Sequence, residues 1–168
     1  MPSVRIGLAL EAILLSVLSL PVRANPPAMI HQMGWLAGKT WSARVEKMPG
    51  RVSHIDVRYD WSATGNFVQF TTKFVENGGG AKRRYAGNFY FDPATGGLAM
   101  WYMNQDNVII KGPVQIQGNR MTMTFAEGPT AYRATVTRTN ATLYRWVLFQ
   151  RVGKDWKQLL VLDYARIG

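Results

Sequence analysis

The 168-residue sequence contains no cysteine, and it contains only two histidines, His31 and His54. Without cysteine there is no disulfide framework, iron–sulfur cluster, thiolate nucleophile or cysteine-ligated zinc site. Two histidines are also too few for a three-histidine metal centre. His31 precedes Trp35 by one helical turn, which favours a packing role, and His54 alternates with buried strand positions, which favours a solvated one. We therefore expect no metal site and no cofactor.

Common catalytic motifs are missing as well. After residue 24 the serines are Ser42, Ser53 and Ser62, and none of them lies in a Gly-x-Ser-x-Gly elbow. The sequence has no Gly-x-Gly-x-x-Gly segment after a strand and no Gly-Lys-Ser/Thr phosphate loop. A serine hydrolase or a nucleotide-dependent enzyme is disfavoured, and whether the chain has any enzymatic activity is left open by its sequence.

The N-terminal segment resembles an export signal. A start carrying Arg5 is followed by an apolar stretch from Ile6 to Leu20 and then by Val22-Arg23-Ala24. The stretch of about 15 residues is shorter than the roughly 20 that a membrane-spanning helix needs. We expect residues 1–24 to be a signal peptide and residues 25–168 to be the mature domain, located in the periplasm or secreted.

The chain is strongly basic. Its net charge is +10, and loss of two arginines and one glutamate with residues 1–24 would leave +9. Such an excess favours contact with anionic surfaces without selecting one. An anionic envelope surface is therefore a candidate partner. Nucleic acid is not expected, because most aromatic residues fall in the inward register and leave no exposed stacking platform.

Period-two alternation dominates the chain after a short helix predicted at 26–37. Ile55, Val57 and Tyr59, for example, alternate with polar residues. Clusters of Gly, Pro, Asn and Asp divide the chain into ten predicted strands. These strands are placed near residues 40–48, 52–62, 66–76, 82–92, 97–104, 108–116, 120–126, 131–139, 142–152 and 156–166. Short connections predict an antiparallel meander, and closure removes its exposed edges. The expected fold is an all-β, ten-stranded up-and-down barrel, with a two-sheet sandwich as the alternative.

The residues in the inward register are mostly aromatic. Nine of them are the candidate ligand-binding residues: Tyr59, Phe70, Tyr85, Phe89, Tyr102, Met121, Met123, Tyr132 and Trp146. Trp61, Phe74, Phe91, Met100, Phe125, Leu160 and Tyr164 share that register. Because ten strands enclose more space than eight, this lining favours a cavity for one small hydrophobic or aromatic molecule. The alternative is that the same side chains fill the interior completely.

Two segments carry a family resemblance. The segment from His31 to Trp41 leads from a short helix through Gly38 to a first-strand tryptophan, and the chain closes with Asp163-Tyr-Ala-Arg166. This layout resembles the secreted lipocalin-like (calycin-type) β-barrel family. The resemblance implies that Arg166 covers Trp41 and closes one end of the barrel. Haem-binding barrels of the nitrobindin type use a histidine near the C-terminus, and this chain has none there.

Three functions agree with these observations. The first is binding of a small hydrophobic molecule inside the barrel. The second is a cofactor-free isomerase or cyclase, for which Arg138 and Arg145 are the candidate residues beside the Tyr132 and Tyr144 strands. The third is a basic module with a filled core that binds the cell envelope. Both a monomer and a dimer agree with the sequence.

Overall fold

A computed structural model describes residues 26–45 and 52–168 of the chain. The predicted signal peptide and the predicted continuation of the first strand over residues 46–48 lie outside these described residues. One helix, α1 (Pro26–His31), precedes ten strands. The strands are β1 (Lys39–Arg44), β2 (Val52–Trp61), β3 (Phe67–Glu76), β4 (Ala81–Asp92), β5 (Gly97–Met103), β6 (Ile109–Gln117), β7 (Arg120–Glu127), β8 (Thr130–Arg138), β9 (Leu143–Val152) and β10 (Asp155–Arg166).

The strands form a closed antiparallel meander in which each pairs with its sequence neighbours and β1 pairs with β10. Trp41 stands opposite Arg166, and Ser42 stands opposite Ala165, where the first strand meets the last. The predicted ten-stranded up-and-down barrel is confirmed, and the sandwich alternative is wrong. Apart from the end of β1, the strand bounds lie within one residue of their predicted positions.

The helix is shorter than the prediction of 26–37. It ends at His31, and residues 32–38 continue as turns. Several of these turns are closed by bonds between residues three apart, such as Met33 N to Ile30 O at 2.9 Å and Leu36 N to Met33 O at 2.9 Å. Three residues per turn place Ile30, Met33 and Leu36 on one side, and all three are buried. The tighter winding thus follows the spacing of the apolar residues.

Residues 26–38 form a cap over one end of the barrel, called here the closed end. The cap leads directly into β1, and the Gly38 N–H donates to the Tyr59 carbonyl at the end of β2. The opposite end, called the mouth, is bounded by the β3–β4, β5–β6, β7–β8 and β9–β10 turns. The barrel therefore has one covered end and one end surrounded by hairpin tips. No helix among the described residues has the length and apolar character to cross a bilayer.

Two inward-register glycines allow strands to approach closely. A Cβ atom on Gly87 of β4 would collide with the Trp101 carbonyl oxygen, and one on Gly112 of β6 would collide with the Thr124 carbonyl oxygen. The residue after Gly112 is Pro113, which has no N–H to donate. The ladder between β6 and β7 runs from the Val114–Met123 pair to the Gln117–Arg120 pair. These positions let the wall curve around its interior.

Candidate functional site: the barrel cavity

The barrel encloses a cavity of about 370 Å³. Cavities that hold small molecules in proteins run from roughly 300 to 1,000 Å³. The interior is therefore hollow, in contrast to the filled-core alternative. Leu159 lines the cavity although it is 51% exposed, which places the opening at the mouth.

All nine candidate ligand-binding residues line this single cavity: Tyr59, Phe70, Tyr85, Phe89, Tyr102, Met121, Met123, Tyr132 and Trp146. The period-two alternation of the strands brings them to one surface. Phe74, Met100, Phe125, Leu160 and Tyr164 line it too, as their register predicted. Binding of a ligand by these residues stays a prediction.

Two residues that the register placed inward do not line the cavity. Trp61 lies at the end of β2, where its ring is 5.1 Å from the His31 ring and packs under the cap. Phe91, near the end of β4, is half-buried but is also outside the lining. Alternation continues to the ends of these strands, but the cavity stops before them because the cap occupies that end.

The closed end is sealed by aromatic packing. The Trp41 side chain is fully buried, and its indole Nε1 donates to the Leu36 carbonyl of the cap at 3.3 Å. Its ring lies 4.9 Å from the Tyr144 ring and 6.1 Å from the Trp35 ring. Arg166 is the register partner of Trp41 and is exposed. The guanidinium of Arg138 lies over the Trp35 ring at 5.8 Å.

Three tyrosines, called here the deep tyrosines, lie between this seal and the cavity: Tyr59, Tyr144 and Tyr164. The Tyr144 and Tyr164 rings stack at 4.8 Å, and the Tyr59 and Tyr144 side chains share a hydrogen bond. Burial raises the pKa of Tyr59 to about 12. Burial, reinforced by the neighbouring Tyr59, also raises the pKa values of Tyr144 and Tyr164. The deep tyrosines are therefore neutral at physiological pH and offer hydroxyl groups in an apolar setting.

At the mouth, five aromatic rings follow one another around the wall. This mouth belt consists of Phe74, Tyr85, Tyr102, Phe125 and Tyr132. Successive ring centroids are 5.8, 5.6, 5.6 and 5.6 Å apart. The contacts change from edge-on between Tyr85 and Tyr102 to stacked between Phe125 and Tyr132. The belt therefore provides an aromatic section of the cavity lining near its opening.

Glu127 is the charged residue in the described cavity lining. Its Oε1 atom accepts a 2.6 Å hydrogen bond from the Asn104 Nδ2 group, and Asn104 is buried. Burial raises the pKa of Tyr102, and the charge of Glu127 and the nearby Tyr85 and Tyr132 raise it further. The mouth thus carries a carboxylate near the Tyr102 phenol, which keeps its proton at physiological pH.

The remaining candidate residues lie outside the cavity. Arg145 is on the outer face, where its Nε donates to Asp163 Oδ1 at 2.7 Å, and Arg138 lies against the cap. The isomerase or cyclase hypothesis therefore loses both of its candidate arginines as cavity groups. His54 lies on the outer face beside Ser53, with its Nδ1 atom 2.9 Å from the serine Oγ atom. His31 is exposed, with its ring against Trp61.

Sequence reasoning missed Tyr144 and Glu127. Tyr144 shares the register of Trp146, and Glu127 shares that of Phe125, so alternation alone could have included both. A carboxylate beside the Gly128-Pro129 turn is typical of solvent-exposed chain, and Glu127 is exposed as well as lining the cavity. Its contact with Asn104 joins residues 23 positions apart, for which the sequence has no local signal. The described residues contain no cluster of three or more potential metal ligands.

Comparison with protein-family models finds none that matches this chain, and comparison with curated proteins finds no matching relative.

Proposed function

We propose that this protein binds a small hydrophobic or aromatic molecule inside its barrel, as the lipocalin-like layout of its sequence suggests. The observation that carries the proposal is the cavity of about 370 Å³, whose lining brings together all nine residues predicted to contact a ligand. Burying an apolar ligand there would contribute about 25 cal/mol for each Å² removed from water. The deep tyrosines and the mouth belt would orient its polar atoms.

The proposal is tested by filling the cavity from within. Ala134 lines the cavity and is 2% exposed, so replacing it by Phe or Leu removes space from the interior. Thr124 is an exposed residue on the neighbouring strand β7, and Thr124→Phe is the matched control. Decanol affinity is measured by calorimetry and by displacement of a fluorescent fatty alcohol. Native mass spectrometry of the purified protein detects a co-purified ligand.

We expect the wild type and Thr124→Phe to bind, Ala134→Leu to bind more weakly, and Ala134→Phe to bind weakest. If Ala134→Phe does not fold, which circular dichroism would show, Ala134→Leu alone provides the comparison with wild type. Equal affinity in all folded variants would place binding outside the cavity. No binding of apolar or aromatic compounds by the folded wild type would refute the function.

We also propose that the protein acts in the periplasm or outside the cell. The proposal rests on residues 1–24, whose charged start, apolar stretch and Ala24 resemble a signal peptide. Expression of the full chain in a bacterium should yield an exported product that begins at Asn25. Intact-mass measurement of the exported fraction checks this, and a cytoplasmic product that retains residues 1–24 would contradict it.

A second candidate function, docking of the mouth on an anionic envelope surface, is favoured by the β9–β10 hairpin. Val152 and Leu159 are 44% and 51% exposed there, beside the exposed basic residues Arg151, Lys154 and Lys157. Apolar side chains among lysines suit the interface of an anionic bilayer.

Cosedimentation with phosphatidylglycerol vesicles, and with phosphatidylcholine vesicles as the neutral reference, tests this docking. Lys157→Glu at the mouth should weaken binding to anionic vesicles more than Arg120→Glu, which makes the same charge change at the start of β7 near the closed end. If the two variants lose the same amount of binding, the attraction depends on net charge alone and not on the mouth. If the wild type binds no vesicles, the docking is excluded.

A further inference from the structure

The charge of the cavity lining is opposite to the net charge of the chain. The protein carries a net charge of +10, yet the described cavity lining contains no lysine or arginine and one carboxylate, that of Glu127. Glu127 is the last residue of β7 and follows the inward-register residues Met121, Met123 and Phe125. A molecule that enters the cavity therefore meets a negative group first.

The Glu127 carboxylate is held in place by a buried amide. Asn104 is 7% exposed, and its Oδ1 atom accepts hydrogen bonds from the backbone N–H groups of Asp106 at 2.9 Å and Val108 at 3.0 Å. These two bonds orient the amide so that its Nδ2 group points to Glu127, to which it donates at 2.6 Å. The β5–β6 turn thus holds the Glu127 carboxylate, which belongs to another hairpin, in a fixed position. A carboxylate that served only solubility would not need to be held in this way.

The mouth belt also favours positively charged groups. The faces of aromatic rings carry partial negative charge, and they attract ammonium groups within about 6 Å, more strongly where water is excluded. Tyr85, Tyr102, Phe125 and Tyr132 lie next to one another below Glu127, with neighbouring centroids 5.6 Å apart. A carboxylate beside several aromatic rings is the chemistry that recognises primary and quaternary ammonium groups.

An anionic headgroup would be disfavoured at the same place. A fatty acid carboxylate at the mouth would face the Glu127 charge and be repelled by it, and solvent around the exposed Glu127 side chain screens part of this repulsion. The phenol groups of the belt could donate to an anion, but they cannot neutralise it. A neutral alcohol would experience neither effect and serves as the reference.

Building on the ligand-binding function proposed above, we infer that the cavity selects amphiphiles with an ammonium headgroup, which Glu127 and the mouth belt hold while the apolar body lies deeper in the barrel. The basic outer surface does not enter this selection, because recognition takes place inside the mouth.

The test compares four ligands that share one decyl chain: decylammonium, decyltrimethylammonium, decanol and decanoate. Each is titrated by calorimetry below its micelle concentration. We expect both ammonium compounds to bind roughly tenfold more tightly than decanol, and decanoate to bind most weakly. If none of the four compounds binds, the proposed function itself fails. If decanol binds and the ammonium compounds show no preference over it, only this inference is overturned.

Two variants locate the preference. Glu127→Gln should abolish most of the ammonium advantage and improve decanoate binding, while decanol affinity stays within about twofold. Asp155→Asn, which makes the same charge change in the β9–β10 hairpin at the same end of the barrel, is the matched control and should keep the wild-type ranking. Phe125→Leu should weaken decyltrimethylammonium more than decanol. An unchanged ranking in Glu127→Gln, with folding verified by thermal melting, would overturn the inference.

Discussion

The two ends of this barrel are built from the same kinds of aromatic residues but do different things with them. At the closed end, Tyr144 and the cap pack around Trp41, which has no exposed surface. At the mouth, the five rings of the belt contact one another in sequence and all line the cavity. Aromatic content alone therefore does not distinguish core from site. What differs is whether another segment covers the rings, as residues 26–38 do at the closed end.

The largest expected effect contrasts one aromatic residue from each end. Trp41→Ala should lower the free energy of unfolding by about 3–5 kcal/mol, because it leaves a hole in fully packed surroundings. Tyr132→Ala, at a half-buried mouth position, should cost about 1 kcal/mol. Urea unfolding followed by circular dichroism measures both. Equal losses would mean that the mouth belt belongs to the core as much as the seal does.

The next prediction concerns the wall that separates the two ends. Gly112→Ala places a methyl group against the Thr124 carbonyl, and this overpacking should destabilise the protein by about 1–3 kcal/mol. Gly78→Ala is the control, since a Cβ atom there meets open space in the β3–β4 turn. Thermal melting should separate the two variants clearly. A Gly112→Ala variant as stable as Gly78→Ala would contradict the close approach of β6 and β7.

Alkaline pH should destabilise the fold through the deep tyrosines at the closed end. The pKa of Tyr59 is raised to about 12 from an ordinary value of 10.0, because burial penalises its ionised form. The folded protein then holds this proton more tightly than the unfolded chain does, so stability is retained below pH 10 and falls as the pH rises from 10 toward 12. Tyr144→Phe should reduce this fall, because it removes a second buried phenol whose pKa is raised in the folded protein. Absorbance of tyrosinate, recorded together with unfolding, checks the prediction.

The smallest loss of stability is expected for a substitution on the outer surface, away from the seal and the mouth belt. Arg145 lowers the pKa of Asp163 below its ordinary value of 3.8 by donating hydrogen bonds to its carboxylate. A carboxylate with a lowered folded pKa stabilises the protein above its unfolded pKa, and this contribution is lost as the pH falls through the folded value. Because the pair is exposed, Asp163→Asn should cost little at pH 7 and still less at pH 3, which lies below the unfolded pKa. Urea unfolding at both pH values measures this, and a large loss at pH 7 would show that the surface carries more of the stability than the ends do.

Much of this architecture could be predicted from local sequence. Turn clusters such as Gly118-Asn119 and Gly128-Pro129 mark the hairpins, and both glycines have positive φ, 59° and 57°. Alternation then assigned side chains to the inner and outer faces, because each strand has one wet and one dry face. That rule does not show that Trp61 and Phe91 lie outside the cavity lining, since it does not say where along a strand the cavity ends.

Properties that depend on distant contacts could not be predicted. Whether the interior is hollow depends on how closely β6 approaches β7 at Gly112, and no local pattern encodes that distance. The bond from Asn104 to Glu127 likewise joins two different hairpins. The helix was predicted too long because its apolar spacing was assigned to an α-helix, whereas the bonds after His31 close tighter turns.

The central claim is that a ligand binds inside the barrel cavity, and methyl NMR of methionine tests it most directly. Met100, Met121 and Met123 line the cavity, whereas Met33 is buried in the cap and Met103 is 37% exposed beyond the lining. Titration with decanol should shift the three cavity methyl signals in a saturable manner and leave those of Met33 and Met103 nearly unchanged. Shifts confined to Met103, or no shift at saturating decanol, would contradict the claim.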